Sequence, residues 1–156
     1  MIKNIILLSI LWIAACDQQP SKGLEFKGLT PEAMVKEATV KNRWYTQSQL
    51  DMGNNIYQTH CLACHNKNAE GTHEWKKTLA NGHYPPPPLN GTAHAWHHDM
   101  DTLTRTIQNG GAPLGGVMPG FSDKLSASEI RGVIAYFQSF WSDEIYESWL
   151  QIGGLE

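Results

Sequence analysis

The sequence predicts an all-α fold with long Gly/Pro-rich loops, and three observations carry that expectation. The most periodic segment places Ile130, Val133, Ile134, Phe137 and Trp141 at helical spacing behind the capping box Ser126-x-x-Glu129. No stretch shows the two-residue alternation of a half-buried strand, and no internal repeat occurs. Eight prolines and fourteen glycines punctuate the chain, which calls for long connections between helices. With 156 residues, 41% hydrophobic and 17% charged, the chain is long enough for one core and too apolar for a disordered tail. A formal charge of −3 offers no footprint for a phosphate backbone, so nucleic acid is excluded as a partner. Three cysteines are too few for a disulfide framework.

The elements follow in order. Residues 1–15 read MIKNIILLSILWIAA, one Lys and then an apolar run; the run is too short to span a bilayer, which makes it a signal peptide. Ile13-Ala14-Ala15-Cys16 resembles the bacterial lipobox, which implies cleavage before Cys16 and lipidation of that cysteine. The mature domain would then lie, lipid-anchored, on the periplasmic side of the membrane. Residues 16–46 form a tether and a short helix: 17–29 hold Pro, Gly and Ser without period, and Thr30-Pro31-Glu32 opens a helix near Pro31 to Ala38. A longer helix covers about Ser48 to Thr59, with Leu50, Gly53, Ile56 and Tyr57 on related faces. Thr72 to Ala80 reads as a short helix stopped by Asn81-Gly82. Pro85-Pro86-Pro87-Pro88 has no amide donors and must run extended. Asp99 caps a helix with Leu103 and Ile107 that stops at Asn109-Gly110-Gly111. After the loop from Ala112 to Asp123 comes the Ser126 helix, and Ser142 caps a last helix to about Ile152. The main domain is therefore 47–141, with a C-terminal helical extension over 142–156.

Cys61-Leu62-Ala63-Cys64-His65 carries the chemistry. C-x-x-C-H is the haem c attachment signature. Two thiols three residues apart at a helix end reach the vinyl groups along one porphyrin edge, and the next residue aims its imidazole at the iron. A zinc site needs more ligands, and Cys16 is claimed by the leader, which leaves only His94, His97 or His98. A thioredoxin-like thiol pair needs a βαβ frame that the pattern lacks. Thioether formation also requires export, and the leader supplies it independently.

From about Gln49 to Trp141 the chain resembles class I c-type cytochromes. Gly53 and Tyr57 stand eight and four positions before Cys61, and Val133-Ile134-Ala135-Tyr136-Phe137 matches the family's C-terminal helix. Pro87-Pro88-Leu89 matches its Pro-x-Leu crevice segment. The resemblance implies one covalent haem c on Cys61 and Cys64 with His65 on the iron. It also implies N- and C-terminal helices crossing through Gly53 beside Tyr57 and Tyr136, Leu89 on the haem face, and a Pro87 carbonyl that holds His65. Met118, in the loop Gly115-Gly116-Val117-Met118-Pro119-Gly120-Phe121, is the expected sixth ligand over Met100, which sits in a polar setting. Trp96 either bonds a haem propionate or packs in the core. Arg105 either offsets a propionate charge or is a solvated helix position. His94, His97 and His98 are read as donors or cap groups near the propionates, with copper or zinc binding and replacement of Met118 as the alternatives.

The implied function is electron transfer by a six-coordinate His/Met haem, without enzymatic activity of its own, either as a free carrier or as a subunit of an oxidoreductase complex. Its redox partners would be a quinol-oxidising complex, a terminal oxidase or a periplasmic reductase. The alternative is a haem gas sensor or small haem enzyme with a labile sixth ligand.

Overall fold

The computed structural model describes residues 39–156, which lie within one compact unit, Lys36–Glu156. The signal peptide, Cys16 and the helix expected near Pro31 fall outside the described residues. All named elements among the described residues are helical.

Helix α1, Gln47–His60, starts at Thr46 in a full capping box. The Thr46 Oγ1 accepts the Gln49 N–H at 3.3 Å, and Gln49 Oε1 accepts the Thr46 N–H at 2.9 Å. Two of the helix's orphan donors are thereby satisfied. A single turn, α2 (Leu62–His65), follows at once. It ends at Asn66, whose φ of +62° is a conformation that Asn tolerates better than most residues.

Helix α3, Met100–Asn109, is capped by Asp99 Oδ1, 2.6 Å from the Thr102 N–H, and stops at Gly110 with φ +81°. Leu103 and Ile107 face the core. Helix α4, Ala127–Gln138, opens on Ser126 and Glu129 and buries Ile130, Val133, Ile134 and Phe137. It ends three residues before Trp141, earlier than its period suggests. The Ser139 Oγ–H donates to the Tyr136 carbonyl at 2.6 Å and the chain turns. Trp141 is still buried and donates its Nε1–H to the Leu89 carbonyl at 2.7 Å.

The crossing of α1 and α4 organises the core. A Cβ at Gly53 would overlap the Gly132 carbonyl oxygen, and one at Gly132 would stand 2.9 Å from Met52 Cε. Glycine on both helices lets the backbones touch. The Tyr57 and Tyr136 rings pack at 4.8 Å beside the crossing. Helix α5, Asp143–Gln151, is capped by Ser142 and buries Tyr146 and Trp149. It leans on the turn Ala95–His97, with Trp149 Nε1 donating to the His98 carbonyl at 2.8 Å.

One expected helix is absent. Thr72 to Ala80 forms successive turns, because its amides have other partners. The Thr72 N–H goes to Pro86 O at 2.8 Å, Leu79 N–H to His83 O at 2.7 Å, and Trp75 and Lys77 close only three-residue turns.

Candidate cofactor cavity

The sequence around the Cys motif builds one wall of a cavity. Cys61 closes α1 through its N–H to Tyr57 O, and its carbonyl accepts both the Cys64 and His65 amides, at 3.1 and 2.9 Å. This tight turn puts His65 inside, 6% exposed, and leaves Cys64 exposed. Burial pushes the Cys61 thiol up to about 11, with Cys64 adding to the effect. Such a thiol is the opposite of the low-pKa thiolate that a thiol–disulfide exchange site needs.

His65 Nδ1 lies 3.0 Å from the Pro87 carbonyl oxygen. Burial holds the imidazole below the ordinary histidine range, against the opposing pull of that carbonyl. The ring is therefore neutral, with Nδ1–H donating and the Nε2 lone pair free. The proline run has no amides of its own, so its position comes from what its carbonyls accept. Pro86 O takes the Thr72 N–H, and just beyond the run Leu89 N–H goes to Ala69 O at 2.8 Å. Gly71, at φ +58°, is needed here because a Cβ would overlap the Pro87 carbonyl. Nothing in the residues around Gly71 marks that role in advance.

The opposite wall is the loop carrying Met118. Gly111 N–H donates to Met118 O at 2.9 Å, and a Cβ on Gly110 would stand 2.6 Å from that same oxygen. The Tyr84 N–H donates to Gly115 O at 2.8 Å, which ties the proline run to this loop. Between the walls is a cavity of about 590 Å³ whose lining includes Cys61, His65, Leu89 and Met118. Tyr57 and Pro87 also line it. Met100, 4% exposed, packs in the core instead.

Trp96 and Arg105 stand outside the lining. Trp96 stacks on His97 at 3.7 Å, and Arg105 bonds Thr102 Oγ1 at 3.0 Å. The tryptophan that lines the cavity is Trp75, stacked on His94 at 4.8 Å. His94 and His98 line the cavity as well. Among the described residues no group of three or more His, Cys, Asp or Glu gathers to hold a metal ion.

The sequence model of the family described as cytochrome c oxidase, cbb3-type, subunit III matches residues 48–137. A curated relative, the Cbb3-type cytochrome c oxidase subunit CcoP of Azospirillum brasilense, is 36% identical over 87 residues. The match covers 55% of this chain and 26% of that protein, so the likeness spans about a quarter of the relative's length. Among solved structures, cytochrome CL of the marine methylotroph Methylophaga aminisulfidivorans aligns at 18% identity with a TM-score of 0.49. That alignment covers 89% of this chain and 85% of the other.

Proposed function

The chain belongs to the cbb3-type cytochrome c oxidase subunit III family and has the class I cytochrome c fold, and from that premise we propose that it is a monohaem electron carrier. One haem c would be held by thioethers to Cys61 and Cys64, with His65 and Met118 as the residues offered to its iron. One observation carries this reading: a buried, neutral His65 with its Nδ1 engaged, over an apolar cavity that Cys61 and Met118 also line. The residues fit the group. A planar, largely apolar macrocycle calls for an apolar slot, and the donor set is one imidazole and one thioether. Haem supplies one-electron Fe(III)/Fe(II) chemistry when bound. The chain does the rest.

Pro87 fixes the tautomer and orientation of His65 and raises its basicity. Met118 would offer a soft thioether, a donor that favours reduced iron. Gly110, Gly111 and Tyr84 hold its loop against the proline run, so little rearrangement accompanies a change of charge. Leu89 and Phe137 line the cavity with apolar surface and would keep water from a bound group. Export through the leader, lipidation at Cys16 and a place on the periplasmic side of the membrane complete the proposal. The partners are redox proteins there: a quinol-oxidising complex as donor, a terminal oxidase or periplasmic reductase as acceptor.

The test is the visible and far-red spectrum of the haem-loaded protein, oxidised and reduced, with and without carbon monoxide. A sulfur-to-iron band when oxidised, and no carbon monoxide shift when reduced, is the expected result. A missing band with a clear shift would mean an open iron, and the gas-sensor or small-enzyme reading would replace this one.

A further inference from the structure

The cavity lining contains no Asp or Glu, and apart from His65 its basic side chains are Lys76, His94 and His98. These three are not scattered. The His94 ring meets His98 edge to face at 5.4 Å and stacks on Trp75 at 4.8 Å, and Lys76 Nζ lies 5.1 Å over the same indole. Trp75 thus spaces two of the basic groups and orders the cluster. Among the described residues, no group takes a hydrogen bond from the side chains of Lys76, His94 or His98. Unspent donors around an acid-free cavity suit an anionic ligand, and haem carries two carboxylates.

Resting on the haem reading above, we propose that Lys76, His94 and His98 bind the haem carboxylates, and that the His94–His98 pair takes up a proton when the protein is reduced. The electron comes from a one-electron donor protein and the proton from solvent. An N–H bond at a ring nitrogen is the only bond formed, and the electron's charge is compensated by that proton.

The surroundings of the pair are specific. His94 is faced by Lys76 from the turn segment and by His97 and His98 on its own element, and His98 is faced by Asp99. Arg105 of α3 acts on Asp99 as well. Burial first, and then the charges of His98, His97 and Lys76, hold the His94 imidazole below the ordinary range. An adjacent carboxylate acts in the opposite direction, and added electron density acts further in that direction. The reduced form therefore binds the proton more tightly. By linkage the midpoint potential falls as pH rises through the interval between the proton affinities of the two redox states, and it is flat on either side.

The experiment is spectroelectrochemistry of the haem-loaded full chain from about pH 5 to about pH 8, where histidine titrates. The wild type is compared with a His94→Asn/His98→Asn double variant, and proton uptake on reduction of the wild type is followed with an indicator dye. At fixed applied potential, the reduced-to-oxidised ratio of the wild type should fall several-fold across this range. The double variant should show a nearly flat profile, with its far-red band intact. A slope that survives in the double variant overturns the proposal. Wild-type reduction without proton uptake overturns it too, and that measurement does not depend on the variant folding. A haem-loaded wild type with a flat profile defeats this inference alone; a chain that binds no haem defeats the electron-carrier reading with it.

Discussion

The two methionines after the proline run show how a single residue's surroundings decide its chemistry. Met118 is half-buried on a loop braced by Gly110 and Gly111 and faces the cavity, whereas Met100 is the first residue of α3 and packs among core side chains. Met118→Ala should therefore abolish the far-red band, open the iron to carbon monoxide, and lower the potential by on the order of a tenth of a volt. That is a modest part of the range of roughly 0.8 V that axial ligands span. Met100→Ala should keep the band and cost about 2–5 kcal/mol of stability, as a cavity in a core does. Potentiometry and denaturant unfolding on both variants separate the roles, and a Met118→Ala protein with unchanged potential and spectrum would remove the ligand assignment. At this scale the sequence was legible wherever chemistry forces adjacency, as in Cys61 to His65. It was silent where a residue reaches the cavity only by tertiary folding. Trp75 and Trp96 each lie near a histidine in the chain, and nothing local says that the first faces the cavity while the second stacks on His97.

Helices are legible in this sequence through their ends. Asp99, Ser126 and Ser142 cap the helices they were expected to cap, because a side-chain oxygen before an apolar period is a local signal with a local effect. The Thr72 to Ala80 segment misled because its amides are claimed by Pro86 and His83, partners that local propensity cannot reveal. The α1–α4 crossing was half legible: Gly53 stood out by its distance from Cys61, while Gly132 did not. The pair makes a graded prediction. At Gly53 the obstacle to a methyl group is the Gly132 carbonyl, a backbone atom that cannot step aside. Alanine there gains about 0.5–1 kcal/mol of helix propensity, but overpacking of this kind costs about 3 kcal/mol or more. At Gly132 the nearest obstacle is Met52 Cε, the free end of a flexible side chain, at 2.9 Å. Gly132→Ala should accordingly cost about 1 kcal/mol, well under Gly53→Ala. Urea unfolding of the two variants checks the order, and equal losses would mean that the crossing yields as a unit.

For the whole molecule, the matched stretch corresponds to only 26% of its oxidase-subunit relative, so the proposed attachment near redox partners rests on this chain's own N-terminal sequence. On the proposed lipoprotein export, Cys16 is the anchor point and roughly 30 residues separate it from α1. A chain of that length reaches at most on the order of 100 Å from its anchor. Confinement of that kind raises the effective concentration at membrane partners by about 10²-fold or more over free diffusion. A single acyl chain would hold the protein only marginally, so the several chains of a bacterial lipoprotein are required for the effect. Cys16→Ser should therefore move the haem protein from the membrane fraction to the soluble one and slow its oxidation by membranes by about that factor. Its spectrum and potential should stay as they were, since Cys16 stands far ahead of Cys61 to His65 in the chain. Fractionation with a haem stain, followed by oxidation kinetics on washed membranes, reads both effects. Equal partitioning of wild type and variant would refute the lipid anchor. Normal partitioning changes with unaltered kinetics would show instead that docking, rather than tethering, limits electron delivery.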